Sequence, residues 1–431
     1  MHLATSGTTL GGGPRWMTRG QPTALAAVAR MVAGQAPHAL LLVGPPSVGK
    51  TTLAEDLAAG LLCTAQDARD RPCRTCRACR LVAAGNHPDL HRVVPEGPGG
   101  QVVIGDPDDP KQPRGIRGLL HELAYLPVEG GARVAIIERA SRMNEDAQNA
   151  LLKTLEEPPA GVTIVLCADE AELLLPTVRS RCSRLRLGPT GPRVIESVLG
   201  ERGLADPATA GRLARLAEGR PGVAVAYARS PEAVAIREEI ARTLLDLLGA
   251  TRARRLAVGR ELLVRARELA EALAGPAPAV ETPPRARRGS ASRGGLAAAP
   301  LRPTAETDVG DGPGSAATDT PAEVTDEAML AGDARKLAPA ERRRAARQLL
   351  DVWRDVARDL TLAGLGGRRE LRDPALIEEL EVAASPLPAG AVAAFLVRLD
   401  RIAELVAGNA NPELALDVLV LAWPTPGRAV A

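Results

Sequence analysis

A loop of glycine, lysine and threonine has the residue types and spacing that hold the phosphates of a nucleotide. Residues 44–51 read Gly-Pro-Pro-Ser-Val-Gly-Lys-Thr, which fits the phosphate-loop pattern G-x-x-x-x-G-K-[ST]. The glycines let backbone N–H groups turn inward on a phosphate chain, and the N-terminus of the following helix adds partial positive charge. In such a loop the lysine neutralises the outer phosphates and the threonine hydroxyl reaches Mg²⁺. The residues that we predict to bind nucleotide here are Gly44, Pro45, Pro46, Ser47, Val48, Gly49, Lys50, Thr51 and Thr52.

Four cysteines within residues 63–79 have the spacing of a metal site. The pattern C-x9-C-x2-C-x2-C contains two C-x-x-C steps that can close chelate rings around one tetrahedral Zn²⁺. An iron–sulfur cluster and free thiols in a loop are the alternatives, although the usual iron–sulfur run has a fourth cysteine close behind the third. Catalytic zinc does not fit, because four cysteines leave no open position. We predict a structural zinc knuckle whose ligands are Cys63, Cys73, Cys76 and Cys79.

The acid after the second predicted strand decides whether the nucleotide site hydrolyses its ligand. The apolar run at residues 133–137 reads as a buried strand, and Glu138 and Arg139 follow it. A hydrolysing site has an acid here that holds Mg²⁺, and usually a second acid that activates water. Glu138 keeps the first carboxylate and joins the predicted nucleotide site, but Arg139 is a cation and accepts no proton. We therefore expect a site that binds ATP with Mg²⁺ and hydrolyses it slowly or not at all.

Strand patterns are confined to the first part of the chain. Apolar runs at residues 39–43, 133–137 and 163–168 predict buried strands, and residues 184–187 predict an edge strand. The phosphate loop lies between the first strand and a helical run, which is the context that the motif requires. We predict an α/β nucleotide-binding domain over residues 1–187.

The remaining sequence has helical periodicity only. Residues 188–230 predict three short helices that form a small helical unit, and residues 231–431 predict longer amphipathic helices. Within the second of these parts, residues 275–331 are rich in Ala, Pro, Gly, Thr and Ser and lose this periodicity, so we predict a disordered linker. Its basic first part could contact DNA or another subunit, but a solvated linker is the favoured interpretation.

Composition excludes several classes of protein. The net charge is +2, which argues against a globally basic nucleic-acid binder. Aromatic residues make up only 1% of the chain, so base-stacking platforms of the single-strand-binding kind are not expected. No apolar run reaches the roughly 18–20 residues that span a bilayer, and the first residues lack the pattern of a signal peptide. We expect a cytoplasmic protein without membrane contact.

Several motifs together resemble the bacterial clamp-loader family of AAA+ proteins. The resemblance is strong over residues 15–187, and residues 401–423 are similar to the end of the family's collar. The motifs that carry it, besides the phosphate loop and the four cysteines, are Gly20-Gln21-Pro22, His38-Ala39-Leu40, the run Asn-Ala-Leu-Leu-Lys-Thr-Leu-Glu-Glu-Pro-Pro at residues 149–159, and Ser180-Arg181-Cys182. The resemblance implies a RecA-like parallel sheet with helices on both faces, then a helical lid over residues 188–230 and an all-α collar for oligomerisation over residues 231–431.

The resemblance also implies partners and a role for one arginine. Members of this family form a pentameric ring of one delta-prime, one delta and three tau/gamma motor subunits within DNA polymerase III. The ring opens the sliding clamp and closes it around primed DNA. Arg181 matches the arginine finger that reaches into the ATP of the neighbouring motor subunit. A surface salt bridge is the alternative interpretation of Arg181.

Differences between this sequence and the family motifs distinguish between branches of the family. Glu138-Arg139 lacks half of the acid pair of a motor, and Gly219-Arg-Pro-Gly222 resembles the delta-prime lid, which has no sensor arginine. We therefore predict a stator of the delta-prime type, without a polymerase active site, whose intact phosphate loop favours nucleotide binding more than in that branch at large. A tau/gamma-type ATPase is the first alternative. Another AAA+ remodeller, such as a helicase loader, ranks below it.

Overall fold

A computed structural model of the chain describes residues 13–97, 100–106, 113–129, 131–274, 339–408 and 410–426. The predicted linker at 275–331 lies outside these residues, and so does most of the chain before the first helix. Where residues are described, no helix is both long and apolar enough to cross a membrane.

A parallel sheet forms the centre of the first part of the chain. Its strands are β1 (Ala39–Val43), β2 (Leu90–Val93), β3 (Arg133–Ile137), β4 (Val162–Ala168) and β5 (Ser183–Arg186). They lie in the order β2-β3-β4-β1-β5, and each neighbouring pair is parallel. Strands covered on both faces read as continuous apolar runs, which is why β1, β3 and β4 were recognisable from sequence. The carboxyl ends of β1 and β4 are neighbours, since Val43 pairs with Ala168.

Helices cover both faces of this sheet. They are α1 (Pro22–Arg30), α2 (Lys50–Leu62), α3 (Arg77–Ala83), α4 (Gly115–Leu123), α5 (Glu145–Glu156) and α6 (Pro176–Arg179). Side chains of a strand alternate between faces, and β1 follows this rule: Leu41 packs in one core with α4 and α5, whereas Leu40 and Leu42 pack in the other with α1 and α2. The predicted α/β fold class is confirmed.

A helical part follows the sheet. Its helices are α7 (Pro192–Glu201), α8 (Pro207–Leu216), α9 (Pro221–Arg229), α10 (Pro231–Asp246), α11 (Arg252–Ala274), α12 (Pro339–Gly364), α13 (Ile377–Ala384), α14 (Ala391–Ala407) and α15 (Pro412–Ala422). One continuous core runs through them from Ile195 to Trp423. At its centre Trp353, Phe395 and Trp423 pack together, with ring centroids 4.5–5.5 Å apart. The helices on the two sides of the predicted boundary at 230/231 share this core. The boundaries at 187/188 and 230/231 stay predictions.

Candidate nucleotide site and cysteine cluster

The predicted phosphate loop joins β1 to α2 at the carboxyl edge of the sheet. Two of its residues have left-handed backbone conformations, Ser47 with φ +63° and Gly49 with φ +107°. Glycine takes this conformation without a steric cost, and its position directly before the helix turns the chain into α2. Lys50 is the first residue of α2. The loop therefore lies against a helix N-terminus, where partial positive charge favours an anion.

Lys50 is held by three acceptors of the protein itself. Its side chain is 8% exposed, and Nζ donates to the carbonyl oxygens of Gly44 and Pro45 and to Oδ1 of Asp169, each at 2.7 Å. The site residues predicted from sequence do not include Asp169. The signal was present, because Asp169 directly follows β4 and the carboxyl end of β4 lies beside that of β1.

Glu138, the acid predicted to hold Mg²⁺, forms an ion pair with a cation from the next strand. Its Oε1 lies 2.8 Å from Nη2 of Arg92 in β2, and the same Nη2 lies 2.7 Å from Oε1 of Glu55 in α2. Arg139 follows with an exposed side chain and a left-handed backbone, φ +49°. The first acid of the site is thus neutralised by Arg92, and the position of the second acid carries a positive charge.

Cys167 lies in the core behind these charged groups. It is 1% exposed, and burial, followed by the nearby charge of Glu138, raises the pKa of its thiol to about 12. The thiol is therefore neutral at physiological pH and acts as an apolar core side chain.

The lid contacts the phosphate loop through the start of α9. The backbone N–H of Gly222 donates to the carbonyl oxygen of Ser47 at 3.0 Å. A Cβ atom at Gly222 would lie 3.0 Å from Cβ of Ser47, so only glycine allows this close approach without movement. Arg220 is held within the lid, since its Nε donates to the carbonyl oxygen of Ala217 at 3.2 Å and its Nη2 lies 3.8 Å from Oε1 of Glu218.

Arg181 lies on the edge of the sheet, between α6 and the edge strand β5. Its Nη2 is 2.5 Å from Oε1 of Glu156, and the two side chains are 33% and 50% exposed. Nη1 donates to the carbonyl oxygen of Thr177 at 2.9 Å. Within the chain, Arg181 thus makes the surface salt bridge that was its alternative interpretation. Its role as a finger toward a neighbouring subunit stays a prediction.

The four predicted zinc ligands come together in three dimensions. The sulfur atoms of Cys63, Cys73, Cys76 and Cys79 all lie within 4.8 Å of one another, and those of Cys63 and Cys76 are 3.9 Å apart. Zn–S bonds of about 2.3 Å in a tetrahedron separate the sulfurs by about 3.8 Å. Backbone N–H groups of Cys76 and Cys79 donate to the sulfurs of Cys73 and Cys76 at 3.3 and 3.4 Å. Such donors stabilise thiolates, so this set of ligands fits Zn²⁺.

A buried carboxylate attaches the cysteine cluster to the nucleotide domain. Asp56 of α2 is 0% exposed and accepts from the backbone N–H groups of Met17 and Thr18 at 2.8–3.1 Å. It also pairs with Arg74, which lies between the second and third cysteines. Asp56 thereby joins the segment before α1, the helix after the phosphate loop and the cluster, a role for which we found no signal in sequence.

Comparison with known proteins finds matches to subunits of DNA polymerase III. The family model described as "DNA polymerase III, delta subunit" matches residues 20–191. DNA polymerase III subunit delta' of Pseudomonas aeruginosa is 41% identical over 145 residues, 34% of this chain and 41% of that protein. Subunit delta' of Escherichia coli is 36% identical over 213 residues, 49% of this chain and 60% of that protein. Subunit tau of Escherichia coli is 33% identical over 206 residues, 46% of this chain and 30% of that protein.

The matches favour the delta-prime branch in identity, and the chain spans between 41% and 60% of the length of these two delta-prime relatives. The segment with the family's phosphate loop, cysteine cluster and Ser-Arg-Cys motif is the segment that matches. The chain is thus similar to delta-prime subunits of DNA polymerase III, with a family match over residues 20–191.

Proposed function

We propose that the protein is the stator subunit, of the delta-prime type, in a clamp-loader ring that places the sliding clamp on primed DNA during DNA replication. The observation that carries this proposal concerns the two residues after β3, where a hydrolysing site has its acids. Glu138 is paired with Arg92 at 2.8 Å, and Arg139 stands where a motor has its second acid. A site of this kind lacks the group that activates water, so it holds ATP without efficient turnover.

A tau/gamma-type motor is the second candidate, because the phosphate-loop motif is complete and includes Thr51, the residue type whose hydroxyl reaches Mg²⁺ in such loops. Asp169 is a second carboxylate near Lys50, and its position relative to the bound nucleotide would decide whether it acts as a base. Turnover by the isolated protein separates the two candidates. Strong DNA-stimulated ATP hydrolysis by this protein alone would refute the stator.

Arg181 is suited to act on a neighbouring subunit. Its pair with Glu156 is exposed to solvent, and exposed ion pairs contribute only about 0–1 kcal/mol. The phosphates of a nucleotide present several negative charges, so they can attract Arg181 away from Glu156 at small cost. We propose that Arg181 is the arginine finger for the ATP of an adjacent tau/gamma subunit.

The last helix offers a surface for ring assembly. Leu414, Val418 and Leu421 of α15 are 64%, 50% and 44% exposed. Their spacing of four and three residues puts them on one face of the helix. An apolar face of this kind supports packing against the collars of tau/gamma and delta partners. Contact with the clamp and with primer–template DNA belongs to the whole ring in this proposal.

We propose two bound cofactors, a structural Zn²⁺ at the four cysteines and ATP with Mg²⁺ at the phosphate loop. The zinc would hold together the segment between α2 and α3, which has little apolar core of its own. Free cysteines are typical of a reducing compartment, and the protein is accordingly proposed to act in the cytoplasm.

The experiment is reconstitution of the ring with tau/gamma and delta subunits, followed by measurement of its clamp- and DNA-stimulated ATPase. Arg181→Ala should retain assembly and lower the ATPase of the complex. With one of three motor sites slowed by a factor of about 10³ or more, the loss is at least about one third. Arg184→Ala, which removes an exposed arginine from the same edge, is the matched control. Equal ATPase in the wild type and in Arg181→Ala would refute the finger.

A further inference from the structure

We infer that Asp169 is an internal competitor of nucleotide, whose carboxylate occupies the phosphate-binding lysine so that ATP binds only by replacing it. The inference rests on the nucleotide site of the proposed function, but not on the clamp-loader role. Asp169 belongs to neither the predicted site nor the phosphate-loop motif.

The hydrogen bonds of Lys50 carry the first step. An ammonium group has three N–H donors, and all three are used: two by the carbonyl oxygens of the loop and one by Asp169 Oδ1. The group is almost fully buried, at 8% exposure, so it has little contact with water. A phosphate oxygen can therefore reach Lys50 only if one of these three acceptors leaves.

The carboxylate is the acceptor that must leave. The two carbonyl oxygens are neutral, and they belong to the loop that carries Lys50. Asp169 carries a full negative charge, and a phosphate bound to Lys50 would lie within a few ångströms of it. Because like charges at that separation repel strongly inside a protein, the carboxylate and the phosphate exclude each other. Asp169 is 34% exposed, so its side chain has solvent to turn into.

Neighbouring cations leave the Lys50–Asp169 pair intact, although the charge of Arg142 also attracts Asp169. Arg92 is shared by Glu55 and Glu138. The backbone N–H of Asp169 lies 3.4 Å from Oγ of Ser141, which holds the start of the loop after β4. The bond from Gly222 to Ser47 keeps the phosphate loop under the lid at the same time. All three N–H donors of Lys50 thus have acceptors without nucleotide. The affinity of the site for ATP therefore depends on the strength of the Lys50–Asp169 pair.

The test is equilibrium binding of a fluorescent, non-hydrolysable ATP analogue with Mg²⁺ to the full-length protein. Asp169→Asn keeps the shape and removes the charge, and we expect Kd to fall by about tenfold or more, the effect of releasing one charge-assisted hydrogen bond. Glu170→Gln is the matched control, because it removes an exposed charge one residue away. Its Kd should stay within about twofold of the wild type, since exposed charges are screened.

Two further variants make the result decisive. Asp169→Thr repeats the test with a small neutral side chain, which covers the case in which Asn fails to fold. Adding Lys50→Ala to Asp169→Asn should abolish the gain, because the gain acts through Lys50. Equal or weaker binding by both neutral variants overturns the inference, and weaker binding would instead indicate that Asp169 is a ligand of Mg²⁺. Failure of the wild type to assemble with tau/gamma and delta counts only against the clamp-loader role.

Discussion

Arg255 should be one of the most important side chains for the stability of the collar. It is 2% exposed, and its guanidinium donates to backbone carbonyls of two segments that are far from each other in sequence. Nη2 reaches Leu248 at 3.0 Å and Pro424 at 2.9 Å. Nη1 reaches Val420 at 3.4 Å and also Trp423. These carbonyls lie in the turn between α10 and α11 and at the C-terminal end of α15, where carbonyl groups lack hydrogen-bond donors from the helix itself.

The expected magnitude follows from these contacts. Arg255→Met keeps the length of the side chain but leaves the carbonyls without their donor, and each hydrogen bond to a charged group contributes about 1.5–3 kcal/mol. Against this loss stands the desolvation cost of the guanidinium, which is several kcal/mol and which also lowers its pKa. The free energy of unfolding should therefore fall by about 2–4 kcal/mol, less than the sum of the bonds.

Urea unfolding followed by tryptophan fluorescence measures this change. Trp423 is a local reporter, because its Nε1 donates to the carbonyl oxygen of Leu244 at 2.8 Å and its ring packs against Trp353 and Phe395. Arg254→Met is the matched control: Arg254 is exposed, so its loss should change stability by less than about 0.5 kcal/mol. If Arg255→Met unfolds at the same urea concentration as this control, the reasoning is wrong.

Two further predictions concern pH and zinc. Burial, followed by Asp355, raises the pKa of Glu218 to about 7, above the value of about 4.3 in an unfolded chain. Between these two pH values the native state binds more protons than the unfolded state, so the free energy of unfolding should fall as pH rises from about 4.5 to about 7. The melting temperature of Glu218→Gln should depend less on pH than that of the wild type, and at pH 8 it should be higher. Cys79→Ser should lose its zinc in metal analysis and free the segment around Met17 for proteolysis, since Arg74 then no longer holds Asp56 in place. Cys182→Ser, outside the cluster, should keep its zinc, and retention of full zinc by Cys79→Ser would contradict the assignment.

The elements that repeat a local pattern were predictable from sequence. The strands β1 and β3 were predicted at their observed residues, because a buried parallel strand is apolar at every position. The clustering of Cys73, Cys76 and Cys79 was predictable for a similar reason, since two C-x-x-C steps leave the chain few ways to separate these sulfurs. Trp353 and Trp423, two large aromatic side chains of the predicted helical part, are both buried.

The contacts that depend on the order of strands and on the packing of helices were not predictable. Asp169 meets Lys50 across 119 positions of sequence, and only the adjacency of β4 and β1 brings them together. Arg92 reaches Glu138 because β2 lies beside β3. Residues 231–273 have helical periodicity in the sequence, and the structure interrupts the helix at Leu247–Gly249. Periodicity did not reveal that turn, because its leucines are buried like those of the helices that flank it.

The shared core of the lid and collar couples movement of the collar to the nucleotide site. Ala224 and Tyr227 of α9 lie in the same core as Leu262 of α11 and Trp353 of α12, so α9 is expected to move together with the collar. Gly222, at the start of α9, can then leave Ser47 only if the collar shifts against the sheet. Binding energies of this kind are reciprocal. A ring arrangement that moves the collar should change the affinity for ATP by some factor, and ATP should change the stability of that arrangement by the same factor.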